Sequence, residues 1–399
     1  MEQTFWGKLK RVKFGDLLHI FKFLAACLAC LFLRGKHRDL WLICDTENEA
    51  RDNGYWLFKY VREQHPEQEA VYAINRHSPD YARVAKLGAT VHYGSLKHWI
   101  YYLLASKNIS SQKMGKPNAA ICYVLEVYGI LRNVRVFLQH GIIMADLSYL
   151  YYPHTKMRLF VCSTYREWKY VNDNYGYPQG YVQQLGICRL DGLHDFQVKK
   201  GQVLIMPTWR MYIRNEIRSA NHEKALEEFR ATEYFQCWNA LLNHKGLYEL
   251  AEKWDLQIVF YPHREMQRFL DAFQISHPRV TVASWPQFDV QELLKSSACL
   301  ITDFSSVALD FAYMKKPLLY YQFDTEKYRE SHNASGDFDY ETDGFGPLLH
   351  DADRVIERLG QLAERGFENE EVYLKRHASY FDLWDRDNCR RNYEAIKNI

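Results

Sequence analysis

The chain has 399 residues, of which 47% are hydrophobic and 15% aromatic. A chain of this size and composition can bury a large core and favours two domains over one, which excludes disordered and fibrous proteins. The formal net charge is only +2, and no concentrated basic patch occurs beyond residue 38, so we expect no nucleic-acid partner.

The first 38 residues are basic and partly apolar. They contain eight Lys or Arg residues against two acidic ones, which leaves the rest of the chain at about −4. Three interpretations compete for the apolar run at 17–33: a cleaved signal peptide, a spanning helix, or a helix in the lipid headgroup region. The residues after the run form a poor cleavage site, and the run is marginal for a bilayer, which needs about 20 residues. We therefore predict membrane-surface attachment, with an amphipathic helix packed on the protein as the alternative.

Short apolar runs then alternate with helical stretches. In the first half, predicted strands lie at 40–44, 71–74, 90–93, 108–110, 134–138 and 159–162, and predicted helices at 49–64, 79–87 and 96–106. The second half has predicted strands at 203–206, 257–261, 280–282, 299–302 and 318–321, and helices at 223–254, 265–273, 288–296 and 305–314. Repeated strand–helix–strand units predict an α/β fold whose parallel sheets carry helices on both faces.

The two halves predict two Rossmann-like domains facing a cleft, which is the GT-B-like arrangement. We place them at 39–188 and 189–399 after the segment 1–38, and expect that the helical stretch from Asp353 could cross back to the first domain. Neither a dinucleotide fingerprint nor a P-loop motif occurs, which argues against a dehydrogenase or a P-loop ATPase.

The nine cysteines are scattered, and several fall within apolar runs. This pattern is typical of reduced, buried thiols in a cytosolic protein. Cys27 and Cys30 form a lone C-x-x-C pair, which we interpret as packing and not as a metal site.

His140 directly follows a predicted strand and precedes Gly141, which allows a tight turn. The carboxyl ends of parallel strands point into the ligand crevice, so His140 is expected to face the cleft. A neutral imidazole there can take a proton from an attacking hydroxyl near pH 7. Taken alone, a His-Gly pair is more often an ordinary loop histidine.

The second half offers further candidates at its strand ends. His263 can hydrogen-bond a pyrophosphate or assist a leaving group, and Arg264 offers a planar fork for phosphate oxygens. Arg210 is a second phosphate candidate, and Thr208 could donate to a phosphate oxygen. For His263 and Arg264, the alternative is a strand-end histidine beside a surface arginine.

The segment from Thr302 to Tyr321 reads as strand, polar turn, helix and strand. Asp303, Ser305 and Ser306 lie at the start of the helix, where unpaired backbone N–H groups and the helix dipole favour a phosphate. The alternative is that these three residues only cap the helix.

The letters T-D-F-S-S-V, then D-F-A, then K-K-P before an apolar run and an aromatic residue, resemble the nucleotide-pyrophosphate segment of the CDP-glycerol glycerophosphotransferase family. The segments around His140, Thr208 and His263 also resemble family segments. Two departures occur: Ile142 and Ile143 stand where the family's wall polymerases have Thr-Pro, and Cys188 replaces a proline in a G-x-P-R-x-D linker. In that linker we interpret Arg189 and Asp191 chiefly as hinge-ordering residues, with ligand contact as the alternative.

The resemblance implies a cytoplasmic transferase, peripheral on the inner face of the bacterial cell membrane. It would move a polyol phosphate, foremost glycerol phosphate, from a CDP-polyol to the hydroxyl of a lipid-linked or saccharide acceptor, with release of CMP. Teichoic acid or capsule synthesis is the implied process. The first domain would hold the acceptor and the second the nucleotide donor. A GT-B glycosyltransferase with a nucleotide-sugar donor is the alternative, and a catalytically silent membrane-surface scaffold is a third class.

The resemblance also assigns roles to residues. His140 is implied as the general base and His263 as a second catalytic residue. Neither a cofactor nor a metal is expected. Donor and phosphate binding is expected from Thr208, Arg210, Arg264, Asp303, Ser305 and Ser306. Gly346 and Pro347 form a possible donor-site loop, and a plain turn explains them equally well from composition.

Overall fold

The structure is a computed structural model that describes residues 14–399 except 34, 132, 218, 220, 286 and 332–335. The basic residues before Phe14, which the membrane prediction used, lie outside the described residues. The chain forms two compact units. The first contains the chain up to Ile142, Ser148–Asp191 and Asp385–Ile399; the second contains Ile143–Leu147 and Gly192–Trp384. The boundary therefore follows Asp191 and not residue 188. The last fifteen residues belong to the first unit, whereas the prediction placed them in the second domain.

The first unit is built on a parallel sheet with strand order β3-β2-β1-β4-β5-β6-β7. Its strands are β1 (Trp41–Cys44), β2 (Ala70–Ile74), β3 (Thr90–His92), β4 (Lys107–Ser110), β5 (Arg135–Phe137), β6 (Leu159–Cys162) and β7 (Val182–Gln184). Its helices up to residue 191 are α1 (Phe14–Leu33), α2 (Asn53–Gln64), α3 (Tyr81–Ala85), α4 (Leu96–Leu104), α5 (Ala119–Val127), α6 (Tyr152–Thr155) and α7 (Tyr165–Asn174), with a 3-10 turn at Ser148–Leu150.

The second unit has a parallel sheet with strand order β10-β9-β8-β11-β12-β13. Its strands are β8 (Gln202–Ile205), β9 (Gln257–Phe260), β10 (Val280–Val282), β11 (Cys299–Thr302), β12 (Leu318–Tyr321) and β13 (Leu348–Leu349). Its helices are α8 (Met211–Glu216), α9 (His222–Arg230), α10 (Glu233–Leu242), α11 (Lys245–Lys253), α12 (Val290–Ser296), α13 (Val307–Tyr313), α14 (Thr325–Ser331), α15 (Ala352–Glu364) and α16 (Glu371–Tyr380), with a 3-10 helix at Arg264–Ala272. A 3-10 segment, Cys188–Leu193, covers the chain boundary after Asp191, and α17 (Asn388–Lys397) completes the first unit.

The central strands are apolar runs buried along their whole length. All four residues of β1, β6, β8, β11 and β12 are buried. Such continuous burial is typical of parallel strands covered by helices on both faces, in contrast to the alternation of a half-exposed strand. The predicted α/β class with two parallel sheets is confirmed.

The helix α17 is held in the first unit by residues of the predicted hinge. Asp191 caps its start, since its carboxylate accepts hydrogen bonds from the backbone N–H of Asn388 at 3.0 Å and of Cys389 at 2.7 Å. Gly186 has a φ of +76°, and a Cβ there would lie 1.6 Å from Oδ1 of Asn388. The glycine is therefore required twice, for its backbone angle and for the space it leaves to α17.

Candidate functional site

In each unit, polar residues collect after the carboxyl ends of neighbouring strands. In the first unit Asp45 follows β1, Ser111 follows β4 and Gln139 and His140 follow β5. In parallel α/β sheets this edge is where ligands bind, because loops and helix N-termini converge there. The candidate site is therefore described from this edge of each sheet.

The turn that presents His140 begins with an unusual backbone conformation. Gln139 has a φ of +64°, which is uncommon for a residue with a Cβ. Its buried side chain donates from Nε2 to Oε1 of Glu167 at 2.9 Å, and the other carboxylate oxygen of Glu167 accepts from the backbone N–H of Ser163 at 2.6 Å. These contacts hold the strained residue in place, and strain of this kind is concentrated at functional sites.

The His140 side chain is exposed to solvent, yet its pKa lies below the usual value. The surrounding protein reduces the hydration of the imidazolium, which is the largest cause; Asp52 opposes this effect and Arg189 adds to it. Interaction with the backbone of Ser111 also raises the pKa, but less than the loss of hydration lowers it. A neutral imidazole has one ring nitrogen whose lone pair can accept a proton.

In the second unit, His263 follows β9 and is half-buried. Its backbone N–H donates to the Pro207 carbonyl at 3.1 Å, and its Nδ1 accepts from the backbone N–H of Glu265 at 3.2 Å. This contact places the proton of a neutral His263 on Nε2, which can donate to a phosphate or to a leaving oxygen. The neighbouring Arg264 is exposed, with its guanidinium 4.6 Å from the centre of the Trp285 ring.

The two serines lie at the start of α13. Ser305 Oγ accepts a long hydrogen bond of 3.4 Å from the backbone N–H of Val307, and the Ser306 side chain makes no capping hydrogen bond within the described part of the chain. Both side chains are half-exposed. Helix capping therefore explains Ser305 only weakly, and it does not explain Ser306.

The structure brings the strand-end residues of the second unit together. Thr208, after β8, donates from its backbone N–H to Oδ1 of Asp303, after β11, at 2.9 Å. Pro207 holds His263, as described above. Thr208 follows β8, His263 follows β9 and the two serines follow β11, and these strands are neighbours in the sheet. The assignment of these residues and Arg264 to the donor stays a prediction.

Arg210 and Asp303 were predicted to bind the donor phosphate, and this prediction is wrong. Both side chains are fully buried, with Arg210 Nη1 2.9 Å from Oδ2 of Asp303. Arg210 Nε also donates to Oδ2 of Asp324 at 2.7 Å. The rings of Phe304 and Tyr328 both lie 5.1 Å from the guanidinium carbon. The guanidinium neutralises two core carboxylates and has no exposed surface for a ligand.

Two further parts of the family-like segments have structural explanations. The Lys316 ammonium donates to the carbonyls of Leu294 and Ser297, the latter at 2.7 Å, and so caps the end of α12. A Cβ at Gly346 would lie 1.9 Å from the Leu318 carbonyl oxygen, and the Pro347 carbonyl accepts from Tyr320 N–H at 3.0 Å. These contacts pair β12 with β13, while a role of Gly346 and Pro347 in donor binding stays a prediction.

Sequence reasoning missed several residues of the two sheet edges. Asp324, Asn53 and Gln139 acquire their side-chain partners only when distant segments fold together. Glu167 has a local partner in the Ser163 N–H, but its contact with Gln139 also needs the fold. The one available signal was position, because Asp324 closely follows the apolar run of β12. The same rule applied to β1 would have drawn attention to Asp45.

Two parallel α/β units with polar strand ends define a GT-B-like fold. The sequence model of the CDP-glycerol:poly(glycerophosphate) glycerophosphotransferase family matches residues 26–398, and the chain belongs to this family. The family resemblance of the T-D-F-S-S-V segment is thereby confirmed.

Similar proteins act in teichoic acid synthesis. The chain is 34% identical over 372 residues to the minor teichoic acid biosynthesis protein GgaB of Bacillus subtilis (strain 168), which covers 91% of this chain and 40% of GgaB. The chain thus spans less than half the length of that relative. It is also 29% identical over 108 residues to a teichoic acid glycerol-phosphate transferase of Staphylococcus aureus (strain NCTC 8325 / PS 47), which covers 27% of this chain and 28% of that protein.

Solved structures share the fold. The wall teichoic acid polymerase TagF superimposes with a TM-score of 0.67 and 15% identity, over 96% of this chain and 98% of the TagF chain. A UDP-N-acetylglucosamine 2-epimerase of Listeria monocytogenes, described as putative, gives a TM-score of 0.55 and 14% identity over 90% of this chain and 96% of that one. At these identities the likeness concerns the fold alone.

Proposed function

We propose that the chain transfers glycerol phosphate from CDP-glycerol to an acceptor hydroxyl and releases CMP, in the synthesis of a teichoic acid-like polymer. The observation that carries the proposal is the histidine at the end of β5. His140 is exposed at the edge of the sheet where the strands end, and its pKa is lowered, which suits a base at neutral pH. Membership of the glycerophosphotransferase family supports the choice of donor.

In the proposed reaction the acceptor oxygen attacks the phosphorus that carries the glycerol. A new P–O bond forms, the bond from that phosphorus to the bridging oxygen breaks, and CMP leaves with the bridging oxygen. His140 takes the proton of the acceptor hydroxyl. Negative charge grows on the leaving phosphate, where Ser305, Ser306, His263 and Arg264 would stabilise it.

These groups can neutralise the leaving phosphate without a resident metal ion, so we propose that none is needed. Side chains that are cationic or donate hydrogen bonds serve this purpose at other phosphate sites. The proposal is tested by repeating the transfer assay below with a chelator present.

The proposed function predicts CMP release and a phosphodiester product from CDP-glycerol. We expect Ser305→Ala and Ser306→Ala each to weaken CDP-glycerol binding by roughly tenfold, since each removes one hydrogen bond to a charged oxygen. Calorimetry measures the affinity, and phosphorus NMR of a product made on a glycerol-phosphate-terminated acceptor identifies the bond. Ser284→Ala is a matched control, because Ser284 bonds only locally to Gln287 at 2.9 Å among the contacts seen.

A comparison of nucleotide donors distinguishes the phosphotransferase from a glycosyltransferase. CDP-ribitol and UDP-N-acetylglucosamine are compared with CDP-glycerol under the same conditions. Glycosidic transfer from the UDP-sugar would reject the phosphotransferase in favour of a GT-B glycosyltransferase. Normal CDP-glycerol affinity in both serine variants would remove these serines from the donor site.

We also propose that α1 lies on the inner surface of the cell membrane. The helix is long and apolar enough to cross a membrane, yet it packs on the first unit along one side. Trp99 Nε1 donates to His19 at 3.0 Å, and Lys22 donates to the Gly94 carbonyl at 2.8 Å. The two residues that interrupt the apolar run therefore face the protein, which favours a helix lying on a surface over a spanning one.

The other side of α1 exposes large apolar residues. Phe21 is 69% exposed and Leu28 is 65% exposed. The exposed set is Leu17, Leu18, Ile20, Phe21, Leu24, Leu28, Leu31 and Phe32. The exposed cations Lys36 and Arg38 follow the helix, which suits an anionic lipid surface.

The triple variant Phe21→Gln, Leu24→Gln and Leu28→Gln is expected to lose binding to anionic vesicles by roughly a hundredfold or more. Each exposed side chain would otherwise remove apolar area from water, and glutamine keeps the helix propensity. Co-sedimentation with phosphatidylglycerol vesicles measures binding, and phosphatidylcholine vesicles test the charge dependence. A variant with Val198→Gln and Val372→Gln is the control, because both valines are exposed in the second unit. Wild-type vesicle binding by the triple variant would exclude the surface attachment through α1.

A further inference from the structure

Asn53, the first residue of α2, has a fully buried polar side chain that the helix itself does not need. The N-cap is Asp52, whose side chain accepts from the backbone N–H of Asn53. Asn53 has no exposed surface. A buried amide is costly unless its donor and acceptor are both used, so its partners show what it holds in place.

Both ends of the Asn53 amide contact segments distant in sequence. Nδ2 donates to the carbonyl of Gln139 at 2.7 Å, and Oδ1 accepts from the backbone N–H of Arg189 at 2.9 Å. One partner immediately precedes His140. The other, Arg189, donates from Nη1 to the carbonyl of His140 at 2.7 Å.

These contacts fix the backbone on both sides of the proposed base. Asn53 holds the carbonyl of Gln139, which precedes His140, and Arg189 holds the carbonyl of His140. Arg189 also pairs with Oδ1 of Asp52 at 2.7 Å, so the contacts close into a ring that returns to the start of α2. The left-handed conformation of Gln139 then lies inside this ring, with Glu167 holding its side chain.

We propose that Asn53 is a positioning residue for His140: its amide fixes the Gln139 carbonyl and the backbone of Arg189, which together set the orientation of the imidazole. This inference rests on the proposed function for its catalytic meaning. The imidazole needs a fixed backbone because the backbone position of His140 determines where the ring can reach an acceptor hydroxyl. Outer-shell partners that orient histidines at metal sites are worth roughly ten- to a hundredfold in activity, and we expect an effect of the same order here.

The variant Asn53→Asp tests the inference with little change in shape. It keeps an acceptor for Arg189 but places a carboxylate oxygen against the Gln139 carbonyl, where the two oxygens repel. We expect kcat to fall roughly ten- to a hundredfold with an unchanged KM for CDP-glycerol. We also expect the acid limb of the kcat/KM profile to move to higher pH, because an added negative charge stabilises the imidazolium. The charged groups that act on His140 are otherwise Asp52 and Arg189.

Asn392→Asp is the matched control. Asn392 is equally buried in the first unit and donates from Nδ2 to the carbonyl of Gly186 at 2.7 Å. We expect its folded fraction to retain the wild-type pH profile. Arg189→Gln serves as a second variant if Asn53→Asp does not fold, since the Arg189 side chain is partly exposed. It removes a cation near His140, so the acid limb should again move to higher pH.

A histidine NMR titration of His140, assigned with the His140→Ala variant, separates this inference from the proposed function. It needs no transfer activity, so an inactive wild type would reject the proposed function and leave the positioning role open to measurement. Ring chemical shifts of the neutral His140 that change in Asn53→Asp, with those in Asn392→Asp unchanged, support the positioning role, because the added charge acts mainly on the titration midpoint. Unchanged ring shifts in folded Asn53→Asp, together with unchanged kcat where transfer is seen, overturn it.

Discussion

The variant His140→Ala is expected to lower turnover by a factor of about 10² to 10⁴ and to leave CDP-glycerol affinity nearly unchanged. The reason is that the acceptor hydroxyl loses the group that takes its proton, while the proposed donor contacts lie in the second unit. Initial rates of CMP release give the turnover, and calorimetry with CDP-glycerol gives the affinity.

His77→Ala is the control for this experiment, because His77 is an exposed histidine of the same unit that follows β2. The wild-type pH profile provides a second check. The base must be neutral, and the pKa of His140 lies below its ordinary value of 6.5, so kcat/KM should fall only as the pH drops below that value. Near-normal turnover in His140→Ala would remove this residue as the base.

Replacing Arg210 by alanine is expected to lower the free energy of unfolding of the second unit by about 3–5 kcal/mol. The change would leave the carboxylates of Asp303 and Asp324 buried without their shared cation. It would also remove the guanidinium from among the rings of Phe304 and Tyr328. Denaturant unfolding followed by tryptophan fluorescence and by circular dichroism measures the loss.

Arg264→Ala is the matched comparison, because Arg264 is exposed at the same edge of the sheet. We expect this variant to keep wild-type stability and to bind CDP-glycerol more weakly. The two arginines should therefore show opposite phenotypes. If Arg210→Ala kept its stability and lost only donor affinity, the original prediction of a phosphate contact would be restored.

The strands were the most predictable part of the fold. Runs such as Leu300 to Thr302 are apolar on both faces, because helices cover both sides of a parallel sheet, and this leaves a strong local signal. Helix boundaries were less predictable. The stretch predicted as one helix at 223–254 contains three, because Thr232 caps α10 by accepting from Phe235 N–H at 3.2 Å and His244 caps α11 by accepting from Gly246 N–H at 3.0 Å.

A site residue was predictable from the sequence where its position after a strand is enough to suggest its role. His140 and His263 both lie directly beyond strand ends, and that information is local. Burial and pairing are not local, and Arg210 shows the consequence. An arginine near a strand end can bind phosphate or neutralise core carboxylates, and only the fold places Asp324 within 2.7 Å of it.

The capping of α17 by Asp191 also has a consequence for how the protein is made. Tyr393 of α17 stacks on His65 with ring centroids 3.7 Å apart and lies 5.3 Å from the ring of Trp41 in β1. The first unit therefore cannot be completed until residues 388–397 have left the ribosome. While the second unit is translated, the Trp41 ring lacks its contact with Tyr393, and the Asp191 carboxylate lacks the backbone N–H groups of Asn388 and Cys389. A fragment that stops at residue 191 would remain in that unfinished state, so the first unit should not be stable when it is produced as an N-terminal piece.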